Sequence, residues 1–414
     1  MRNNSIKSLL NIPGYKIEQI VMAESEIHIR IRPYKRSYGI CSGCRKAHKK
    51  GFHSLRETTA EDNRLGDQRV FLHIPKRRYQ CPEDGRVHTE IIEWIELGAR
   101  VTKSFAKSVN RLTAITTNQE AGWYLGLNDE KVTRIDKAIL KRYAEELLIP
   151  TPKSANISVD EVAWKKNHRY LTNVIDVDKK VLTWNAKGRK AEVLDRYYKS
   201  LGEGNCEAIE SAAIDGAKTY ISSTKKYAIN ALIVLDRFHA TQKANKAADQ
   251  VRRDELRKAR KNENEELVKL TNCKQRFILL KNKKNLSERQ SVTLEKLCKI
   301  NQPIYKAMLL KESFLQIYEC ETIEEAEKHV EEWIDQAVCS GLNPFIELAW
   351  SVSEKKQYIL NWYKKKISSA ISEGFNNKIK RLKRMAYGYK DVNYFRLKIH
   401  QHCGYLNPRR FQLN

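Results

Sequence analysis

What this chain lacks narrows it first. No stretch approaches the roughly 18 to 20 uninterrupted apolar residues that a spanning helix needs, and no signal-peptide pattern opens the sequence. A membrane or exported protein is therefore not expected, and the expected location is cytoplasmic. Internal repeats and low-complexity tracts are missing as well, so the chain does not read as a disordered tail. Acidic side chains are in short supply: 50 Asp and Glu stand against 77 Lys and Arg, a formal charge of +27. The basic residues run from end to end rather than forming one arm, which points to a polyanionic partner, and to nucleic acid rather than a membrane surface. With 414 residues, 41% of them hydrophobic, there is material for two or three domains with substantial cores.

Paired cysteines are also scarce. The nine cysteines are an odd number, and Cys206, Cys273, Cys298, Cys320 and Cys339 are scattered singly, with Cys403 alone near the C-terminus. They read as reduced thiols. Cys41 and Cys44 differ, because a Cys-x-x-Cys turn lets two thiolates meet one Zn²⁺ and asks for a second pair to close the tetrahedron. The second knuckle, Arg77-Arg78-Tyr79-Gln80-Cys81-Pro82-Glu83-Asp84-Gly85-Arg86-Val87-His88, supplies only Cys81. Asp84 stands where the fourth sulfur would be and His88 lies just beyond it, so either is the expected fourth ligand; a degenerate knuckle without metal, held by its small core, is the alternative. His48, His53 and His73 read as surface or loop histidines. Alternating strands precede each knuckle, one within 21–36 around Ile27, Ile29 and Ile31, the other from Gln68 to Ile74.

From Thr102 to Leu147 the apolar spacing turns helical. Phe105, Val109 and Leu112 share one face. Thr117-Asn118-Gln119-Glu120 opens a second helix that stops at Gly126, and a third carries Val132, Ile135, Ile139 and Leu140 inward. Two helices around a glycine turn, the second with Lys131, Arg134 and Lys137 outward, suit a helix-turn-helix entering a DNA groove. A three-helix linker is the plainer reading.

Beyond Pro150 and Pro152 the texture changes to strands, expected at 155–160, 170–176, 180–186, 208–214 and 231–235. Helices are expected at 191–201 and 218–226. Three strands, helix, strand, helix, strand is the order of an RNase-H-like sheet, in which the first and fourth strands are neighbours. Asp160 and Asp215 end those two runs. Asp236, after the fifth strand, is the rival second carboxylate, and His239 is a candidate proton carrier or phosphate contact. A long helical, Lys/Arg/Glu-rich segment follows; its Trp333 and Trp350 are expected to be buried, with stacking on an unpaired base as the alternative. A lone acid, Glu373, then heads a basic run that includes Lys378, Lys380, Arg381, Lys383 and Arg384. On its own Glu373 reads as a surface ion-pair partner; beside two strand-end aspartates it completes what a two-metal phosphoryl-transfer site requires.

These motifs together resemble insertion-sequence transposases of the ISL-three family. The resemblance is carried by the cysteine knuckles with Arg77-Arg78-Tyr79-Gln80-Cys81, by Ser158-Val159-Asp160-Glu161, by Asp236-Arg237-Phe238-His239, and above all by Glu373-Gly374-Phe375-Asn376-Asn377 with its basic tail. It covers nearly the whole chain. Two departures stand out: Asp84 replaces the family's fourth zinc cysteine, and the Trp that commonly follows the second aspartate is absent, although Tyr220 is kept. The resemblance implies a multidomain α+β protein: a zinc-knuckle-like domain (1–95), a helix-turn-helix domain (96–150), an RNase-H-like core (151–240), a helical insertion (241–365), and a last core helix with a basic tail (366–414). It implies catalytic Asp160, Asp215 and Glu373 holding two Mg²⁺ or Mn²⁺ ions, a homodimer, and cleavage and strand transfer at terminal inverted repeats of double-stranded DNA. A transposase-derived regulator without catalysis and a nuclease without strand joining are the rival functions.

Overall fold

The computed structural model describes residues 10–35, 37–165, 169–235, 237–272, 276–281, 285–367 and 370–409. The chain divides into two compact units, Met1–Ile149 with Leu382–Asn414, and Pro150–Arg381.

The first unit opens with a sheet. Its strands are β1 (Tyr15–Met22), β2 (Glu26–Pro33), β3 (Ile40–Cys41), β4 (Phe52–Leu65), β5 (Gln68–Gln80), β6 (Val87–Ile91), β7 (Ile95–Glu96) and β8 (Val101–Thr102). The order is β1-β2-β5-β4-β8-β7, with β6 also on β5 and β3 on β6. Ile27, Ile29 and Ile31 of β2 are buried against Val70, Leu72 and Ile74 of its neighbour β5, as period-two alternation demands. The long β4 has little apolar signal, and its pairing along β5 imposes the strand.

Three helices follow, Lys103–Thr113, Asn118–Leu125 and Asp129–Leu147. Each start is capped: Thr102 accepts from the Phe105 N–H, Thr117 forms a reciprocal capping box with Glu120, and Asn128 accepts from the Lys131 N–H. Gly126, at φ 64°, closes the second helix in the left-handed conformation that glycine tolerates. The helix Val392–Cys403 belongs to the same unit, and its Tyr394 joins the core around Val109, Ile135 and Ile139.

In the second unit β9 (Asn156–Lys165), β10 (Arg169–Asp176), β11 (Val181–Lys187), β12 (Ser211–Ile214) and β13 (Leu232–Leu235) form a sheet of order β11-β10-β9-β12-β13. The first three strands pair antiparallel; β12 runs parallel to both β9 and β13. The helices Ala191–Leu201 and Lys218–Tyr227 supply Leu194, Tyr197 and Tyr220 to the core over Ile157 and Val159. Two boundaries in this sheet differ from expectation by three residues or more: β12 begins at Ser211 rather than 208, after a short helix Glu203–Glu207, and β9 runs long. β9 continues past Asp160 to Lys165 because β10 pairs with it along that length, so Asp160 lies within a strand rather than at its end.

The helical segment, from Arg237–Lys261 to Asn343–Lys364, has its own core around Phe314, Val330, Trp333 and Phe345. Leu235 of β13 belongs to that core, and Asn361 Nδ2 donates to the Ile233 carbonyl at 2.8 Å, tying the segment to the sheet edge. Trp333 is buried, its indole N–H donating to the Leu310 carbonyl at 2.8 Å. Trp350, expected to be buried, is 66% exposed. Among the described residues no helix is long and apolar enough to cross a membrane.

Candidate functional site

The two knuckles are built alike. Cys41 N–H donates to the Lys46 carbonyl and Arg45 N–H to the Cys41 carbonyl; Cys81 N–H donates to Arg86 and Gly85 N–H returns to Cys81. Arg45 and Gly85 occupy equivalent left-handed positions, at φ 61° and 69°. Asp84 therefore does stand in the place of Cys44. Its carboxylate, however, is engaged elsewhere, with His88 Nε2 at 2.7 Å and the Arg86 N–H at 3.0 Å. The fourth donor brought to the sulfurs is His48. Donor atoms of Cys41, Cys44, His48 and Cys81 all lie within 4.8 Å of one another. Neither Asp84 nor His88 is in this group.

The electrostatics of the group suit a cation. Burial opposes ionisation of Cys41, but N–H groups of Cys44 and Gly43 aimed at its sulfur, with the His48 ring, outweigh it and bring the thiol down to about 7. Cys81 has the Glu83 N–H lowering it, yet burial and the sulfurs of Cys44 and Cys41 push it up. Three sulfurs compete here for negative charge around one point. A soft divalent ion such as Zn²⁺ would relieve that competition, and Cys₃His is one of its ordinary structural donor sets.

In the second unit the register of β9 on β12 pairs Val159 with Ile214, which sets Asp160 and Asp215 at the same level. β12 stops there while β9 runs on, so Asp160 is flanked by the turn that carries Asp215. Asp160 is buried, with Oδ1 accepting from the Glu161 N–H and Oδ2 from Asn376 Nδ2, each at 2.7 Å. Asn376 sits one turn beyond Glu373 on the helix Ala370–Met385. Ser372, on the other side of Glu373, shares a 2.7 Å hydrogen bond with Ser158 of β9. The helix is thus fastened to β9 on both sides of Glu373, whose own side chain is exposed. The oxygens of Asp160, Asp215 and Glu373 do not close into a 4.8 Å donor group as the knuckle ligands do.

A fourth carboxylate, Glu161, is also here. Burial, then the charge of Asp215, raises its pKa, with Arg189 opposing. Lys243 is held below its ordinary value, first by burial and then by repulsion from Lys355. Asp236 lies outside the described residues. His239 is half-buried in the first turn of the helix Arg237–Lys261, edge-on to Phe238.

A family model described as a transposase of the ISL3 group matches residues 157–399, more than half of the chain and the whole of this carboxylate region. The chain belongs to the ISL3 transposase family. A second model, described as the zinc-finger of transposase IS204/IS1001/IS1096/IS1165, matches residues 37–84, which include all four knuckle donors. The transposase for insertion sequence element IS1001 of Bordetella parapertussis is 28% identical over 398 residues, spanning 95% of this chain and 96% of that one. The transposase for insertion sequence element IS1557 of Mycobacterium tuberculosis is 28% identical over 393 residues, 87% of this chain and 85% of its own.

The basic residues of this transposase expected to meet DNA fall into two groups. Lys131 is ion-paired with the buried Glu61, and Lys137 with Asp391, so both are committed within the first unit. Arg134 is exposed and lines an open groove of ≈ 900 Å³ together with Arg45, Thr133 and Lys141. Along the helix Ala370–Met385, Lys378, Lys380, Arg381 and Arg384 are exposed and Lys383 is half-buried, opposite the buried Phe375, Ile379 and Leu382.

Proposed function

We propose that this transposase binds the terminal inverted repeats of its element and catalyses metal-dependent DNA cleavage and strand transfer, working as a homodimer because two ends must be joined together. The observation that carries the reading is the β9–β12 register, which levels Asp160 with Asp215, together with the Asn376–Asp160 bond that fastens the Glu373 helix beside them. The strand order, with the first strand between the second and the fourth, supports an RNase-H-like catalytic sheet.

Two Mg²⁺ or Mn²⁺ ions are assigned to Asp160, Asp215 and Glu373, hard oxygen donors of the type such ions prefer. The local polar groups fit this. Asn376 Oδ1 is buried and unpartnered beside Asp160, as is the side-chain oxygen of Asn173, the cross-strand partner of Asp160. Held by these carboxylates, such ions would supply Lewis-acid activation of the attacking hydroxyl and stabilisation of the leaving oxygen. Asn376 orients the Asp160 carboxylate, and His239 and Asp236 are auxiliary candidates for proton or phosphate contacts.

In the first unit the Cys₃His group holds Zn²⁺ and stiffens the ribbon. The helices Asn118–Leu125 and Asp129–Leu147 serve as a helix-turn-helix, with Arg134 exposed and, among the described residues, without the ion pair that Lys131 and Lys137 each make. The exposed basic face from Lys378 to Arg384 contacts backbone phosphates, which position a strand without reading its sequence.

Incubating the full chain and Mg²⁺ with DNA carrying the sequences that flank its gene, plus a target duplex, tests this. Joined products support the reading. Cut ends without joining would make the protein a nuclease, binding without cutting a regulator, and a Glu373→Gln protein that still nicked would remove Glu373 from the site.

A further inference from the structure

Two lysines from the helical segment reach the turn that carries Asp215. Gly216, at φ 84°, follows the aspartate, and a Cβ placed on it would lie 3.6 Å from Lys243 Nζ and 3.8 Å from Lys355 Cδ. The two come from different helices, Arg237–Lys261 and Asn343–Lys364, the second of which is pinned to β13 by Asn361. Lys355 is only 8% exposed, and among the described residues its ammonium group donates to Ser351 Oγ on its own helix, at 3.2 Å, and to no other side chain. Among the described residues neither lysine makes an ion pair. The acid next in sequence, Glu354, is taken by Lys218 at 2.7 Å.

Buried lysines elsewhere in the chain look different. Lys311 donates to the carbonyls of Leu279 and Lys281 and pairs with Glu312; Lys398 donates to the Thr113 carbonyl and pairs with Asp136. Those satisfy the rule that a buried charge is paired and hydrogen-bonded. Lys243, half-buried, and Lys355, buried, depart from it together: they are neighbouring cations that repel each other, and although the charge of Asp215 acts on Lys243, among the described residues no carboxylate lies within ion-pairing distance of either. An anion of several oxygens would satisfy both.

We propose that Lys243 and Lys355 form a seat for one phosphate of the DNA strand drawn to Asp215, so that the helical segment supplies part of the substrate site. This rests on the carboxylate reading above only for where the strand lies. The lysines are positioning residues: they hold a phosphodiester oxygen and transfer nothing.

The test uses the full chain and end duplexes in which single phosphates around the junction of element and flank are replaced by neutral methylphosphonates. Equilibrium binding is measured for wild type and for a Lys243→Gln/Lys355→Met double variant. At one or two positions the replacement should weaken wild-type binding about tenfold, on the order of a charge-assisted contact, and leave the double variant unaffected. If every position weakens both proteins alike, the seat does not exist. Thermal stability separates a structural role: Lys355→Met should melt at the same temperature or higher, since it removes an unpaired buried charge. A lower melting temperature with unchanged binding cycles would overturn the proposal. Asp160→Asn is assayed for cleavage alongside; if it cuts normally the carboxylate reading fails, while the binding cycle still decides the lysines.

Discussion

His48 Nε2 stands 3.2 Å from Cys44 Sγ, inside a group closed by Cys41 and Cys81. The two knuckles share one backbone pattern, so a fourth ligand at Asp84 would be the symmetrical solution. The side chains break that symmetry, because Asp84 turns to His88 and His48 reaches in from the first knuckle. Asp84→Ala should therefore keep one zinc per chain, whereas His48→Ala should lose it or hold it far more weakly. Structural zinc is worth an apparent ~10–16 kcal/mol at neutral pH, so a protein stripped by chelator should lose the ribbon's protease resistance. Metal content by atomic emission on the two variants decides between the ligands.

Asn376 predicts a second effect. Its bond to Asp160 Oδ2, at 2.7 Å, is made to a charged acceptor in a buried place. Such bonds contribute roughly 1.5–3 kcal/mol, so Asn376→Ala should slow strand cleavage by about ten- to a hundredfold while end binding is retained. Asn376→Asp should be worse, since a second negative charge would face Asp160. Single-turnover cleavage on pre-bound DNA measures this; an unchanged rate in both variants would leave the amide without a role.

The strands of the second unit were legible because each is a short apolar run closed by turn residues, and their order follows from that spacing. β4 was not, since Phe52 to Leu65 carries mostly polar side chains and becomes a strand only through β5. Asp160 and Asp215 could be read as neighbours from strand order alone. Spacing leaves His48 out because a Cys-x-x-Cys pair asks for a matching pair, and only side-chain direction shows that Asp84 turns away from the sulfurs and His48 toward them. Lys131 and Lys137 looked free on their helix, but their partners, Glu61 and Asp391, are 70 and 254 residues away in sequence. Exposure of Trp350 on a helix with apolar neighbours was likewise invisible to spacing.

Asp136 should be the most sensitive position of the first unit. It is fully buried and accepts from Asn110 Nδ2 at 3.0 Å, Thr113 Oγ1 at 2.7 Å and Tyr394 OH at 2.7 Å, with Lys398 Nζ at 3.2 Å. Replacing it by Ala strands a buried ammonium, a loss of about 3–5 kcal/mol for a broken buried pair. Removing both charges, Asp136→Ala with Lys398→Met, should recover much of that loss, because an apolar replacement needs no partner. Calorimetry on the three proteins gives the comparison, and a double variant no more stable than Asp136→Ala would show that the hydrogen bonds, not the charge pair, dominate.

His400 ties the same unit to pH. It is 5% exposed, its Nδ1 has no partner among the described residues, and burial, with Arg396 adding to it, lowers its pKa to about 3. The folded ring is therefore neutral where the unfolded ring, with an ordinary value of 6.5, takes up a proton. Since the unfolded state binds more protons below that value, stability falls as pH drops from about 6.5 toward 3, at up to roughly 1.4 kcal/mol per pH unit. His402, lowered to about 4 mainly by burial, acts in the same direction. Melting temperatures between pH 7 and 5 should decline more steeply for the wild type than for His400→Leu, which has no proton to gain. Parallel slopes would mean that the acid sensitivity of the unit lies elsewhere, in its carboxylates or in the zinc thiolates.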